Sequence, residues 1–79
     1  MSPSEKTRRL SSLSPGTRGK VVRVSRDNPD RADRLTALGV TPGAAVTVLQ
    51  RFPGVVFLCD HTDLAVEPAV ARAILIETD

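Results

Sequence analysis

The sequence predicts a mainly β domain, a small barrel or sandwich of about five short strands with one short helix between the first and second of them. Two observations carry this. Apolar and β-branched residues alternate with polar ones in short runs, and Pro-Gly or other turn-forming clusters separate the runs at short intervals. Five of the six prolines fall at the boundaries those runs define, so turn chemistry and periodicity agree. Size points the same way. A chain of 79 residues buries only about 60–65% of the surface its unfolded form exposes, and one sheet bent onto itself uses a thin core economically.

Residues 1–9 are expected to form a disordered tail and residues 10–79 the domain, because the first residues are polar and include Pro3. Leu10 and Leu13 open the apolar pattern, and Ser14-Pro15-Gly16 follows as a type II turn, with Pro presetting φ and Gly supplying the positive φ that turn requires. Gly19 to Ser25 reads as a strand with Val22 and Val24 on one face. The polar loop Arg26–Asp30 leads into the one segment with helical spacing, where Asp30 is the expected N-cap, Leu35 and Leu38 form a narrow apolar stripe, and Gly39 is the left-handed stop.

Thr41-Pro42-Gly43 repeats the earlier turn chemistry. Ala45 to Phe52 alternates, with Val46 and Val48 opposed to Thr47, Leu49 and Arg51. Pro53-Gly54 turns the chain into Val55–Asp60, apolar on both faces as a central strand would be. A polar turn at Asp60-His61-Thr62-Asp63 precedes a short strand with Leu64 and Val66 inward. Pro68 to Arg72 reads as a single helical turn, and Ala73 to Glu77 closes the domain with Ile74 and Ile76 on one face. Leu13–Val22 and Val40–Leu49 echo one another, each placing Pro-Gly just before a β run; two similar turns entering two strands account for the echo without a duplication.

Composition narrows function. Phe52 and Phe57 are the only aromatic residues, so base-stacking platforms and aromatic cages have no rings to work with. Lys and Arg total 11 against 9 Asp and Glu, and part of that excess sits in the tail, leaving a near-neutral domain with no strong pull on nucleic acid or anionic lipid. The apolar runs are far too short to span a membrane and the polar N-terminus has no secretory h-region, so a cytoplasmic location is expected. One cysteine rules out an internal disulfide framework and suits a reducing compartment.

Taken together, Leu13-Ser14-Pro15-Gly16, Gly19-Lys20-Val21, Arg34-Leu35 and Leu38-Gly39-Val40-Thr41-Pro42-Gly43, followed by Leu64-Ala65-Val66, the alanine-bearing turn Ala69–Ala73 and Ile74-Leu75-Ile76, resemble the FeoA family over nearly the whole chain. The resemblance implies an SH3-like β-barrel that acts as a non-catalytic accessory protein of bacterial ferrous-iron uptake. Its partner would be the cytoplasmic GTPase domain of a FeoB-type permease, with GTP belonging to that partner and no cofactor of its own. It also implies a relative, the C-terminal domain of diphtheria-toxin-repressor-type metalloregulators, and so an alternative role as a metal-sensing module. Neither nucleic acid nor direct membrane insertion is expected. Exposed strand edges would let two copies pair, so a homodimer is compatible with the pattern.

The surface face expected to bind the partner is the helix and its flanking turns, Arg31, Arg34, Leu38 and Pro42, where guanidinium groups suit an acidic partner and apolar residues supply a centre. No catalytic group is evident: the sole histidine is His61, and no paired carboxylates or Ser-His-Asp arrangement occur. Gly16 and Gly19 lack the Lys-Ser/Thr and the helix of a phosphate loop. Asp60, His61 and Asp63 are the only metal-ligand candidates, few in number and better explained as turn formers around an exposed histidine. Cys59, in the middle of a β run, is expected to be a buried and inert thiol.

Overall fold

The computed structural model describes residues 7–78. Six strands and two helices follow in the order β1 (Thr7–Arg9), a 3₁₀ turn (Leu10–Ser12), β2 (Arg18–Val24), α1 (Pro29–Ala37), β3 (Ala45–Gln50), β4 (Val55–Cys59), β5 (Thr62–Val66), α2 (Pro68–Ala71) and β6 (Ile74–Thr78). They form one antiparallel sheet in the order β1-β6-β2-β3-β4-β5. Among the described residues no helix is long and apolar enough to cross a membrane.

The mainly β reading holds, with two corrections. The expected tail is a strand where it can be seen: Thr7–Arg9 pairs with β6, Thr7 opposite Glu77 and Arg9 opposite Leu75, while Met1 to Lys6 lie outside the described residues. A three-residue strand carries no periodicity, so only its ladder with β6 reveals it. Its presence moves the main helix to a place between the second and third strands. The sheet is also not a closed barrel, because β1 and β5 end the hydrogen-bonded order as edges. The core is covered instead by non-strand residues. Leu10 and Leu13 from the 3₁₀ turn, Leu35 and Val40 around α1, and Ala71 from α2 join Val21, Val46, Val48, Val55, Phe57, Ile74 and Ile76 in one buried cluster.

The two Pro-Gly turns are built alike. Thr17 N–H donates to Ser14 O at 3.1 Å and Ala44 N–H to Thr41 O at 3.0 Å, with Gly16 and Gly43 at φ 93° and 92°, as type II turns require. Each turn is then hydrogen-bonded to the other's strand. Gly16 N–H donates to Val48 O (2.7 Å) and Val48 N–H to Thr17 O (2.9 Å), while Gly43 N–H donates to Val21 O (2.8 Å) and Val21 N–H to Ala44 O (2.9 Å). The shift that takes Gly16 to Gly43 also takes Thr17 to Ala44 and Val21 to Val48. It extends to the register breaks, between Val21 and Arg23 in β2 and between Val48 and Gln50 in β3. The sequence echo is therefore a local two-fold in three dimensions.

The first of those breaks corrects the β2 reading. Val21 is buried and Val22 exposed, and the extra residue at Val22 then turns Val24 back against the core, so Val22 and Val24 do not share a face. Gly19 has a separate constraint: a Cβ there would collide with the Glu77 carbonyl oxygen and stand 2.7 Å from Ile76 Cγ2, so β2 and β6 approach this closely only without a side chain.

Phe57 is 0% exposed at the middle of β4, whereas Phe52 at the β3–β4 turn is 84% exposed. Phe57→Ala is expected to cost about 3–5 kcal/mol, and Phe52→Ala to stay within about 0.5 kcal/mol. Urea unfolding followed by circular dichroism separates the two outcomes.

Candidate functional site

Helix α1 positions the candidate face. Pro29 at the first helical turn disfavours helical backbone in the residue before it, so Asn28 is extended and caps the helix, its Oδ1 accepting from Arg31 N–H at 3.1 Å. This corrects the expected cap, Asp30, which lies two residues further on, inside the first turn. At the other end Leu38 is the C-cap and Gly39 follows with φ 98°, its N–H donating to Thr36 O at 3.0 Å. Ala32 and Leu35 face the core, which turns Arg31, Arg34 and Leu38 towards the helix's free side.

That side lines a groove of about 550 Å³ between α1 and the β5–α2 corner, walled by Arg31, Arg34, Leu35 and Leu38 on one side and Val66, Glu67 and Val70 on the other. The structure thus brings together three of the four residues expected at the partner face. Pro42 is not among them; it sits exposed in the second Pro-Gly turn, outside the groove. Leu38 is 49% exposed, unusual for a large apolar residue that also belongs to a helix stripe. Asp30 and Glu67 place carboxylates beside Arg31 and Arg34, so the groove is mixed in charge with an apolar floor. The ion pair nearby, Arg26 Nη2 to Asp33 Oδ1 at 3.0 Å, is solvent-exposed on both sides and contributes at most about 1 kcal/mol. The sequence reading missed the second wall, Glu67 and Val70. Pro68 as a helix-opening residue was the available signal, but nothing local told that α2 would lie opposite α1.

The Asp60-His61-Thr62-Asp63 segment has a different geometry from a metal site. Asp60 sits at φ 55°, its N–H donates to Ala45 O at 2.8 Å, and its carboxylate Oδ1 accepts from Ala45 N–H at 3.1 Å. The carboxylate thus closes the end of the β3–β4 pair. His61 is exposed at the turn, and Asp63 lies in β5 opposite Leu58. Among the described residues no three His, Cys, Asp or Glu side chains gather as a metal site would need. Cys59 is buried and its Sγ lies 3.5 Å from Gly39 O as a thiol donor. Burial pushes its pKa up, with the neighbouring Asp60 carboxylate adding to the effect.

The model of the FeoA domain matches residues 8–78. The chain belongs to the FeoA domain family. FeoA from Chlorobium tepidum is 28% identical with a TM-score of 0.79, the match covering 90% of this chain and 70% of that one. The zinc complex of FeoA from Stenotrophomonas maltophilia, an SH3 domain protein, is 23% identical with a TM-score of 0.78 over 89% of this chain and 93% of that one. T. acidophilum IdeR is 23% identical with a TM-score of 0.84, the match spanning 92% of this chain but only 34% of the longer protein. The last two share the fold, and the SH3-like character expected of a FeoA domain stands in this open-sheet form. No curated protein sequence matches the chain.

Cys59 gives this FeoA domain a measurable signature. Its raised pKa means that the folded state holds the thiol proton more tightly than the unfolded state. Stability is therefore full below the unfolded thiol pKa and falls as pH rises from there towards the folded value. Cys59→Ala should flatten that alkaline decline in urea midpoints, and iodoacetamide should label the native thiol much more slowly than the unfolded one.

Proposed function

We propose that the protein is a non-catalytic cytoplasmic accessory protein of bacterial ferrous-iron uptake that binds and modulates the GTPase domain of a FeoB-type permease. Membership of the FeoA family supports the reading, as does its S. maltophilia relative, described as a candidate ferrous iron transport activating factor. The observation that carries the contact surface is Leu38, half exposed at the rim of a groove and flanked by Arg31 and Arg34. Arginine is enriched at protein interfaces and among their energetic hot spots, and an exposed leucine between two arginines adds apolar area to bury.

The test is a pull-down of the permease's soluble cytoplasmic domain with and without GTP. The wild-type protein should retain it, Leu38→Asp should weaken retention about 30-fold, the equivalent of about 2 kcal/mol, and Arg31→Glu/Arg34→Glu should do the same through lost charge complementarity. Unchanged retention by both variants would remove α1 as the contact face; no retention by wild type in either nucleotide state would remove the partner.

The alternative, a metal-sensing module, draws on likeness in fold to manganese-dependent repressors and would have to use Asp60, His61 and Asp63. With the Asp60 carboxylate engaged by Ala45 N–H, calorimetric titration with Mn²⁺, Zn²⁺ and anaerobic Fe²⁺ is expected to give no heat that His61→Ala/Asp63→Asn removes. Binding at tens of micromolar abolished by that variant would favour the sensor.

A further inference from the structure

A second groove, of about 370 Å³, lies on the other side of Arg31 and is lined by four arginines from four separate elements: Arg9 of β1, Arg23 of β2, Arg31 of α1 and Arg72 at the end of α2. The sheet register places the first two. Arg9 and Arg23 both pair with Leu75 of β6, so they stand in one cross-strand row with Leu75 between them, about 9–10 Å apart at two inter-strand spacings. The register break at Val22 is what brings Arg23 into that row; continuous pairing from Val21 and Ile76 would set Val22 opposite Leu75. Ser25 N–H donating to Ala73 O at 2.7 Å then ties the end of β2 to the end of α2, which holds the Arg72 wall beside Arg23.

Charge in this groove is one-sided. Asp27 is the sole carboxylate in its lining, and among the described residues none of the four arginines makes an ion pair; the pair that exists joins Arg26 and Asp33, outside the groove. Four guanidinium groups thus converge on one groove with a single carboxylate among them, and the local field there favours an anion. The chemistry of the walls selects among anions. Several main-chain donors there are already used: Arg31 N–H by Asn28 Oδ1, Arg72 N–H by Pro68 O, Ala73 N–H by Val70 O and Asp27 N–H by Ser25 Oγ. Guanidinium groups therefore supply most of the charge an anion would meet there. No aromatic ring lines it, and its floor of Ala69, Ala73 and Leu75 has nothing on which a base would stack. Three of the four arginines are exposed, so each contributes little alone and several must be engaged together. Guanidinium forks spread along a groove suit a chain of carboxylates.

We propose that this groove docks an extended acidic segment of a partner protein, its carboxylates engaging Arg9, Arg23, Arg31 and Arg72. The site does not depend on the partner being an iron permease; it shares Arg31 with the Leu38 face, and Arg23 and Arg72 belong to this groove alone.

Fluorescence anisotropy with a labelled polyglutamate peptide at low salt tests it, against a Gly-Ser peptide of equal length. Wild type should bind the acidic peptide and not the neutral one. Arg23→Glu/Arg72→Glu should weaken binding about tenfold or more, with Arg23→Gln/Arg72→Gln as the milder variant should the reversal perturb folding, while Arg18→Glu/Arg51→Glu, the same charge change elsewhere, should have less than about a threefold effect. Absence of peptide binding, equal weakening by the two reversals, or displacement of the peptide by equimolar inorganic phosphate would each overturn the proposal. Permease retention that survives the Arg23 and Arg72 changes leaves the Leu38 face standing, so the two surfaces succeed or fail separately.

Discussion

The structure hangs on the reciprocal hydrogen bonding of two Pro-Gly turns. Each turn satisfies its backbone against the strand that follows the other, so neither can form fully until β2 and β3 are side by side. The register this sets, Gly19 opposite Val46, places Val21, Val46 and Val48 together in the core. The remaining strands attach outward from that central pair, β6 and β1 on β2, β4 and β5 on β3. Because the arrangement is locally two-fold, the bulges recur at equivalent places, and each exposes an apolar residue, Val22 and Leu49. A thin core and short strands leave the sheet ends open, and the 3₁₀ turn and the helices fill them with Leu10, Leu13, Leu35, Val40 and Ala71.

That same economy produces the surfaces. With too few residues for an enclosed cavity, the domain offers grooves where helices meet the sheet, and α1 takes part in two of them. One face of the helix joins an exposed leucine to mixed charge; the other joins arginines from β1, β2 and α2. A net charge of +2 describes neither. The chain average is nearly neutral because acids and bases are spread through the sequence, while the register collects bases from distant positions at one place. Local field, which steers partners, follows the fold and not the sum.

Much of the fold was legible in the residues. The Pro-Gly turns, the helix stop at Gly39 and the buried alternation of Val46 and Val48 follow from local backbone preference and period. The N-cap was legible too and was misplaced: Asn28-Pro29 states it through the restriction proline imposes on its neighbour, where a carboxylate at Asp30 suggested otherwise. Val22 was not readable, since a bulge depends on how β2 meets β6 and an uninterrupted β run looks the same with or without one. Of the proposed partner face, Arg31, Arg34 and Leu38 are visible as a helix surface, whereas Glu67 and Val70 lie thirty or so positions along the chain and only packing sets them opposite.

By itself the sequence determined the class of fold, the turns, the main helix and the family, because these rest on short-range patterns of period, proline and glycine. Tertiary structure decided that Thr7–Arg9 is a strand, that the sheet stays open, and that Arg9, Arg23, Arg31 and Arg72 share a groove. These depend on which edges meet, and edge pairing is set by hydrogen bonds between residues far apart in the chain, for which no local spacing is a signal.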